Sequence, residues 1–144
     1  MMLTSYQATP ADYPQVLQLW EQSVRATHHF LKAADLQFYK KIIPENLVQV
    51  DLRLWQVADE LIGFSGTHQT ELVMLFLAPA FIGRGYGQQI INQLDCQQRL
   101  QTVTVNQQNT VAKRFYDKQG FVPISVAPVD GFGKPYPIMQ LHRD

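Results

Sequence analysis

Three alternating glycines, Gly83, Gly85 and Gly87, follow the apolar run Leu72–Leu77 and precede Ile90, Ile91 and Leu94, which recur at helical spacing. A strand, a glycine turn and a helix start in that order suit an anion. The first N–H groups of a helix have no intrahelical acceptor, its dipole is positive there, and glycines admit a close backbone approach. Pro79 cannot donate to a ladder and ends the pairing before the turn. The spacing excludes two familiar phosphate sites. A P-loop closes on Gly-Lys-Ser/Thr, whereas Gly87 is followed by Gln88-Gln89; a dinucleotide fingerprint runs G-x-G-x-x-G, whereas these glycines run G-x-G-x-G. Taken alone, the segment also fits a plain connector. His28, His29 and His68 are of a type that titrates near neutrality. Adjacent His28 and His29 point in different directions on any regular element, and no cysteine or carboxylate cluster completes a set, so no metal site is expected.

The elements that must position these groups follow from period and punctuation. Leu3–Ala8 reads as a strand, and Thr9-Pro10-Ala11-Asp12 opens a helix: Thr9 can cap, Pro10 suits the first position, and Asp12 favours the positive end. Val16, Leu19, Trp20 and Val24 give the helix from Asp12 to Arg25 its apolar side. A second helix is expected from Asp35 to Ile43, ended by Pro44. Alternation through Leu52–Ala58, then Leu61–His68 after Asp59-Glu60, predicts a hairpin, and Leu72–Leu77 follows as a third antiparallel strand. After the helix Gly85–Cys96, Thr102–Asn106 returns as a parallel strand, because a helix separates the two. Asn109 caps a further helix with Val111, Ala112, Phe115 and Tyr116 on one side, and Gly120 ends it as a left-handed cap. Phe121–Ala127 and Tyr136–His142 complete the sheet across the turn-rich segment 128–135.

At 144 residues the chain has the size of one domain, 1–144, with no linker or repeat. Lys and Arg together number 12, as do Asp and Glu, so no basic stripe favours nucleic acid and no acidic excess marks a cationic partner. The single cysteine, Cys96, rules out an internal disulfide. No stretch approaches the ~18 apolar residues of a membrane span, and the first residues lack a signal-peptide pattern, so a soluble, cytoplasmic protein is expected.

Two segments carry a family resemblance. Leu75-Phe76-Leu77-x-Pro79-x-x-x-Gly83-Arg84-Gly85-Tyr86-Gly87 resembles the acetyl-CoA-binding segment of the GNAT family of N-acetyltransferases. Gly85 and Gly87 meet that family's Gln/Arg-x-x-Gly-x-Gly/Ala signature; Ile82 stands where Gln or Arg is usual. Asn109-x-x-Ala112-x-x-Phe115-Tyr116-x-x-x-Gly120-Phe121 is similar to the family's second motif. The order βααβββαβαββ extends the resemblance to the whole chain, implying an α/β (α+β) fold with a mixed sheet of about seven strands and about four helices. Ser23-Val24-x-Ala26-Thr27-His28-x-Phe30-Leu31 and Gly133-Lys134-Pro135-Tyr136-Pro137 are similar to a bacterial subgroup whose acceptors are poorly defined.

The resemblance implies transfer of an acetyl group from acetyl-CoA to a primary amine. It places the cofactor arm against the backbone of Leu75, Phe76 and Leu77. The pyrophosphate falls on the N–H groups of Gly83, Arg84, Gly85, Tyr86, Gly87 and Gln88, with Arg84 adding charge. Asn109 would bond the arm and Phe115 would line its wall. Tyr116 is the candidate general acid for the departing thiolate. The base stays open. Thr104 occupies the position of a carboxylate used by some relatives, leaving Glu71, directly or through water, or His28 in the region that roofs the acceptor. The acceptor is a small or protein amine, and the protein a monomer or homodimer. The competing expectation is a cofactor-binding sensor or interaction module without turnover.

Overall fold

A computed structural model describes residues 2–144. Seven strands, β1 (Leu3–Gln7), β2 (Asp51–Val57), β3 (Glu60–His68), β4 (Glu71–Leu77), β5 (Thr102–Asn106), β6 (Val122–Ala127) and β7 (Ile138–His142), form one sheet in the order β1-β2-β3-β4-β5-β7-β6. Its pairings are antiparallel except for β4 with β5. Helices α1 (Tyr13–Thr27) and α2 (Ala33–Leu47) cover one face, burying Val16, Leu19, Trp20 and Leu36 against Leu52, Leu54 and Phe64. Helices α3 (Tyr86–Gln97) and α4 (Thr110–Lys118) cover the other, burying Ile90, Ile91, Leu94 and Tyr116 against Leu72, Val103 and Val105. Strand residues alternate between the two layers because side chains on a pleated strand point to opposite faces. Among the described residues, no helix is long and apolar enough to cross a membrane.

The expected element order is the one observed, and its local signals act as read except at Thr9, whose side chain makes no cap bond to a helix N–H, and Pro10–Asp12 form a 3-10 turn ahead of α1. Asp12 accepts from the Thr9 N–H at 2.9 Å, ahead of α1. Asn109 Oδ1 accepts from the Ala112 N–H at 3.1 Å and starts α4, while Gly120 follows that helix at φ 93°.

Several boundaries shift, among them the ends of α1 and the start of β7, and two of the shifts have a clear physical cause. Helix α2 runs from Ala33 through Pro44 to Leu47 and does not stop at Ile43. Proline keeps a helical φ and forfeits one backbone bond. Burial of Ile43 and Leu47, 8% and 1% exposed, anchors the turn that contains it. The β2–β3 hairpin turns on Ala58 and Asp59, at φ 52° and 65°, and not on Asp59-Glu60. Two consecutive left-handed residues match the right-handed twist of the strands they join.

Candidate active site

The site begins where the sheet opens. Strands β4 and β5 pair only at Glu71 with Thr102 and at Leu72 with Val103. The other edge of β4 stays bonded to β3 as far as Leu77, opposite Gly63. Backbone groups of Leu75, Phe76 and Leu77 that face β5 therefore lie along an open seam, free to pair with an extended ligand carrying amides.

The glycine turn lies beyond the open end of β4. Gly83 and Gly85 adopt φ 77° and 86°, a region that side-chain-bearing residues rarely visit, and Gly85 is the N-cap of α3. A Cβ placed at either would meet no atom within 4 Å, so space beside the turn is open while the α3 dipole and its first N–H groups favour an anion. Gly87 serves differently. A Cβ there would stand 3.0 Å from Cζ of Phe115, so the glycine lets α3 pack directly on that ring. Phe115 thereby ties the start of α3 to α4 and is half-buried beside the core. Tyr86 packs edge-on against Phe81 at 5.8 Å, and Gln88 is exposed in the first turn of α3. Arg84 folds back on its own turn: Nη1 donates to the Ala80 carbonyl at 3.3 Å, and the guanidinium lies 5.3 Å from the Phe81 ring centre.

Asn109 uses its side-chain oxygen as a helix cap, which leaves the Nδ2 protons for a ligand. Tyr116 lies two turns on, buried between Phe115 and Phe121 with ring centres 5.1 and 6.0 Å away. Its hydroxyl has no hydrogen-bond partner among the described residues. Every fully buried side-chain oxygen and nitrogen among them does have one, so this hydroxyl retains contact with open space. Burial raises its pKa above the usual tyrosine value, which keeps the proton in place.

The opposite face of the sheet carries a cleft of about 330 Å³ between α1, α2 and the segment joining β6 to β7. Trp20, His28, Tyr39, Phe76 and Tyr136 make it aromatic, and Thr104 and Asp130 are among its polar lining. Among the described residues no Lys or Arg lines it. His28 stands between Phe30 and Phe76, and burial, with a smaller contribution from His29, pushes its pKa down to about 4. The imidazole is therefore neutral at pH 7 and does not titrate there as its residue type suggested. His29 and His68 are exposed and do not line this cleft. Glu71 does not line it either; its Oε2 accepts from Thr104 Oγ1 at 3.4 Å, and Thr104 connects it to the cleft.

A polar clasp that sequence reading missed holds the cleft's roof. Asp35, in the first turn of α2, accepts from Lys134 Nζ at 2.8 Å and from the Tyr136 hydroxyl, which also accepts from the Lys32 N–H at 3.1 Å. Tyr39 donates to Asp130, whose other oxygen caps the loop through the N–H groups of Phe132 and Lys134 at 2.8 and 2.9 Å. The bonds from Lys134 and Tyr136 hold the Asp35 carboxyl below its ordinary pKa. Its share of the stability is present above the unfolded carboxyl's value and is lost as pH falls through the lowered folded value. Lys134 is raised by the same pair, so its share is lost only as pH rises through that raised value. Tyr136→Phe removes the hydroxyl joining the start of α2 to the segment before β7 and should lower Tm by about 2–4 °C at neutral pH in scanning calorimetry. An unchanged Tm would show that the clasp does not form in solution.

An open strand seam ending in a glycine turn at a helix N-terminus, in a mixed seven-stranded sheet, defines an acyl-transferase architecture. The chain belongs to the GNAT family of acetyltransferases: residues 51–123, half of its length, match the model for the acetyltransferase (GNAT) domain. It is 31% identical over 144 residues to peptidyl-lysine N-acetyltransferase YjaB of Salmonella typhimurium, covering 98% of each chain. The solution structure of apo-form YjaB from Escherichia coli superposes with a TM-score of 0.88 at 28% identity, covering 99% of this chain and 97% of that one. A PaiA N-acetyltransferase from Thermoplasma acidophilum, crystallised in complex with coenzyme A, shares the fold at a TM-score of 0.71 and 18% identity, covering 99% and 100% of the two chains.

Proposed function

We propose that this chain transfers the acetyl group of acetyl-CoA to the side-chain amine of a lysine in a polypeptide, by direct attack of the amine. The observation that carries the reading is the β4–β5 seam, with an anion-suited glycine turn at one side and an aromatic cleft at the other. The seam fits an extended amide-bearing arm, and the turn fits a pyrophosphate. The curated relative supports lysine as acceptor. The cleft agrees with it, since an apolar aromatic passage suits a four-methylene stem and the absence of lining cations spares an ammonium repulsion.

Bound acetyl-CoA supplies the thioester carbonyl. The chain supplies the rest. Leu75, Phe76 and Leu77 offer backbone pairing, the N–H groups of Gly83 to Gln88 hold the diphosphate, and the amide of Asn109 steadies the arm. Thr104 and Glu71 form a route through which water can take the ammonium proton. Tyr116 keeps a phenolic proton for the leaving sulfur.

The test is a panel of lysine-containing peptides, small amines and amino acids, assayed with acetyl-CoA for released thiol and by mass spectrometry for the acetylated lysine. Acetylation of peptide lysines in preference to small amines is the expected result. Preference for small amines would overturn the acceptor class. Binding of acetyl-CoA with no response to any amine would favour a sensor or interaction module.

A further inference from the structure

The C-terminus of α1 contains a hydrogen-bond chain that fixes a proton. Thr27, the last helical residue, places Oγ1 2.8 Å from the Ser23 carbonyl oxygen and 2.7 Å from Nδ1 of His28. A hydroxyl has one proton and two lone pairs, and a carbonyl oxygen only accepts. The Thr27 proton therefore goes to Ser23, and Oγ1 must accept from His28, so Nδ1 carries the ring's hydrogen. A neutral imidazole has one N–H, which leaves Nε2 as a bare lone pair. This is the reverse of the form that a free neutral histidine side chain favours in water.

Nε2 has no partner among the described residues, and no fully buried side-chain nitrogen among them lacks one, so Nε2 is open. The ring lines the aromatic cleft together with Val24, Leu31 and Phe76. A hydrogen-bond acceptor in apolar surroundings is most valuable to a ligand that brings an N–H and has few other partners.

We propose that Thr27 is a positioning residue for the acceptor: by holding His28 in its Nδ1–H form, it presents Nε2 to an N–H of the incoming primary amine. The inference rests on reading this cleft as the acceptor site. One N–H donated to Nε2 fixes the amine nitrogen and leaves its lone pair free to turn toward the seam. Because the imidazole is such a weak base in this setting, it orients the amine and does not retain its proton. Thr27 touches no substrate in this scheme and acts only through the ring.

Two-bond ¹H–¹⁵N spectra of the labelled full chain read the ring directly. Nδ1 should appear protonated and Nε2 bare at neutral pH. Thr27→Val preserves shape and removes the hydroxyl. It should release the ring to the other form or a mixture and raise the acceptor KM by about tenfold, the loss of one hydrogen bond, with kcat and acetyl-CoA affinity nearly unchanged. Thr27→Ser should restore both the spectrum and KM. A wild-type ring protonated at Nε2, or a Thr27→Val protein with altered ring protonation and unchanged KM, overturns the proposal. The cleft assignment fails separately: a His28→Ala protein with unchanged acceptor KM shows that the amine binds elsewhere, and the proposal falls with it. The acceptor probe in each case is a peptide or amine that the wild-type protein acetylates.

Discussion

Tyr116→Phe should lower kcat by about a hundredfold while acetyl-CoA affinity and Tm stay near wild-type values. The structure makes this substitution unusually clean. The ring is buried against Phe115 and Phe121, and those contacts survive in phenylalanine. The hydroxyl bonds to nothing among the described residues, so its removal strands no partner, and a purely structural tyrosine would lose nothing here. A proton donor to the leaving sulfur would lose its one useful atom, and the loss would fall on the transition state alone. Because burial raises this phenol's pKa, the group stays protonated throughout the neutral range, and an alkaline limb from Tyr116 should lie above the ordinary tyrosine value. Steady-state kinetics on an amine that the wild-type protein acetylates, with cofactor affinity by calorimetry, decide the matter. A kcat within a few-fold of wild type would sink the general-acid role and leave water or the substrate ammonium as proton source.

The second large effect is expected at the glycine turn. Gly85→Asp should weaken acetyl-CoA binding by at least about a hundredfold in a protein that still folds. Folding survives because a Cβ at this position meets no atom within 4 Å, and aspartate tolerates a positive φ better than most residues. Binding suffers because the side chain enters the space beside the α3 N-terminus and brings a negative charge to a place that favours an anion. Gly85→Asn separates the two causes: it has similar bulk and tolerance of φ without the charge, so it should weaken binding by less. Calorimetric titration of both proteins is the measurement. Unchanged affinity in a folded Gly85→Asp protein would place the diphosphate elsewhere.

What could be read from residue order was the part governed by neighbours in sequence. The Asn109 cap, the left-handed Gly120, the strand ending at Asn106 and the glycine turn depend on local chemistry, and each lies where that chemistry puts it. The extension of α2 past Pro44 was hidden because the burial of Leu47 that offsets a missing backbone bond comes from tertiary packing. The clasp was hidden for a similar reason. Asp35 entered the sequence reading only as the start of a helix, and its partner Tyr136 lies 101 residues away. His28 illustrates the other limit: its type suggested a group titrating near neutrality, but only its surroundings reveal how far burial suppresses the charge. The cleft on the α1–α2 face likewise draws its lining from four separated stretches of chain, and no local pattern joins all of them.

The sheet order carries a consequence for how the protein is made. Strand β7 comes last in the chain yet lies between β5 and β6. While a ribosome is still delivering the residues before Ile138, β5 has an uncovered edge and β6 has no strand beside it. The nascent chain therefore holds its most adhesive backbone in waiting, with Val122, Ile124 and Val126 of β6 solvent-exposed even in the finished molecule. A stalled or prematurely terminated product lacking β7 would present two bare strand edges at once, a form suited to chaperone capture or self-association. The cleft proposed to take the acceptor, lined by Tyr136 and Ile138, is thus completed only by the same segment that bridges β5 and β6.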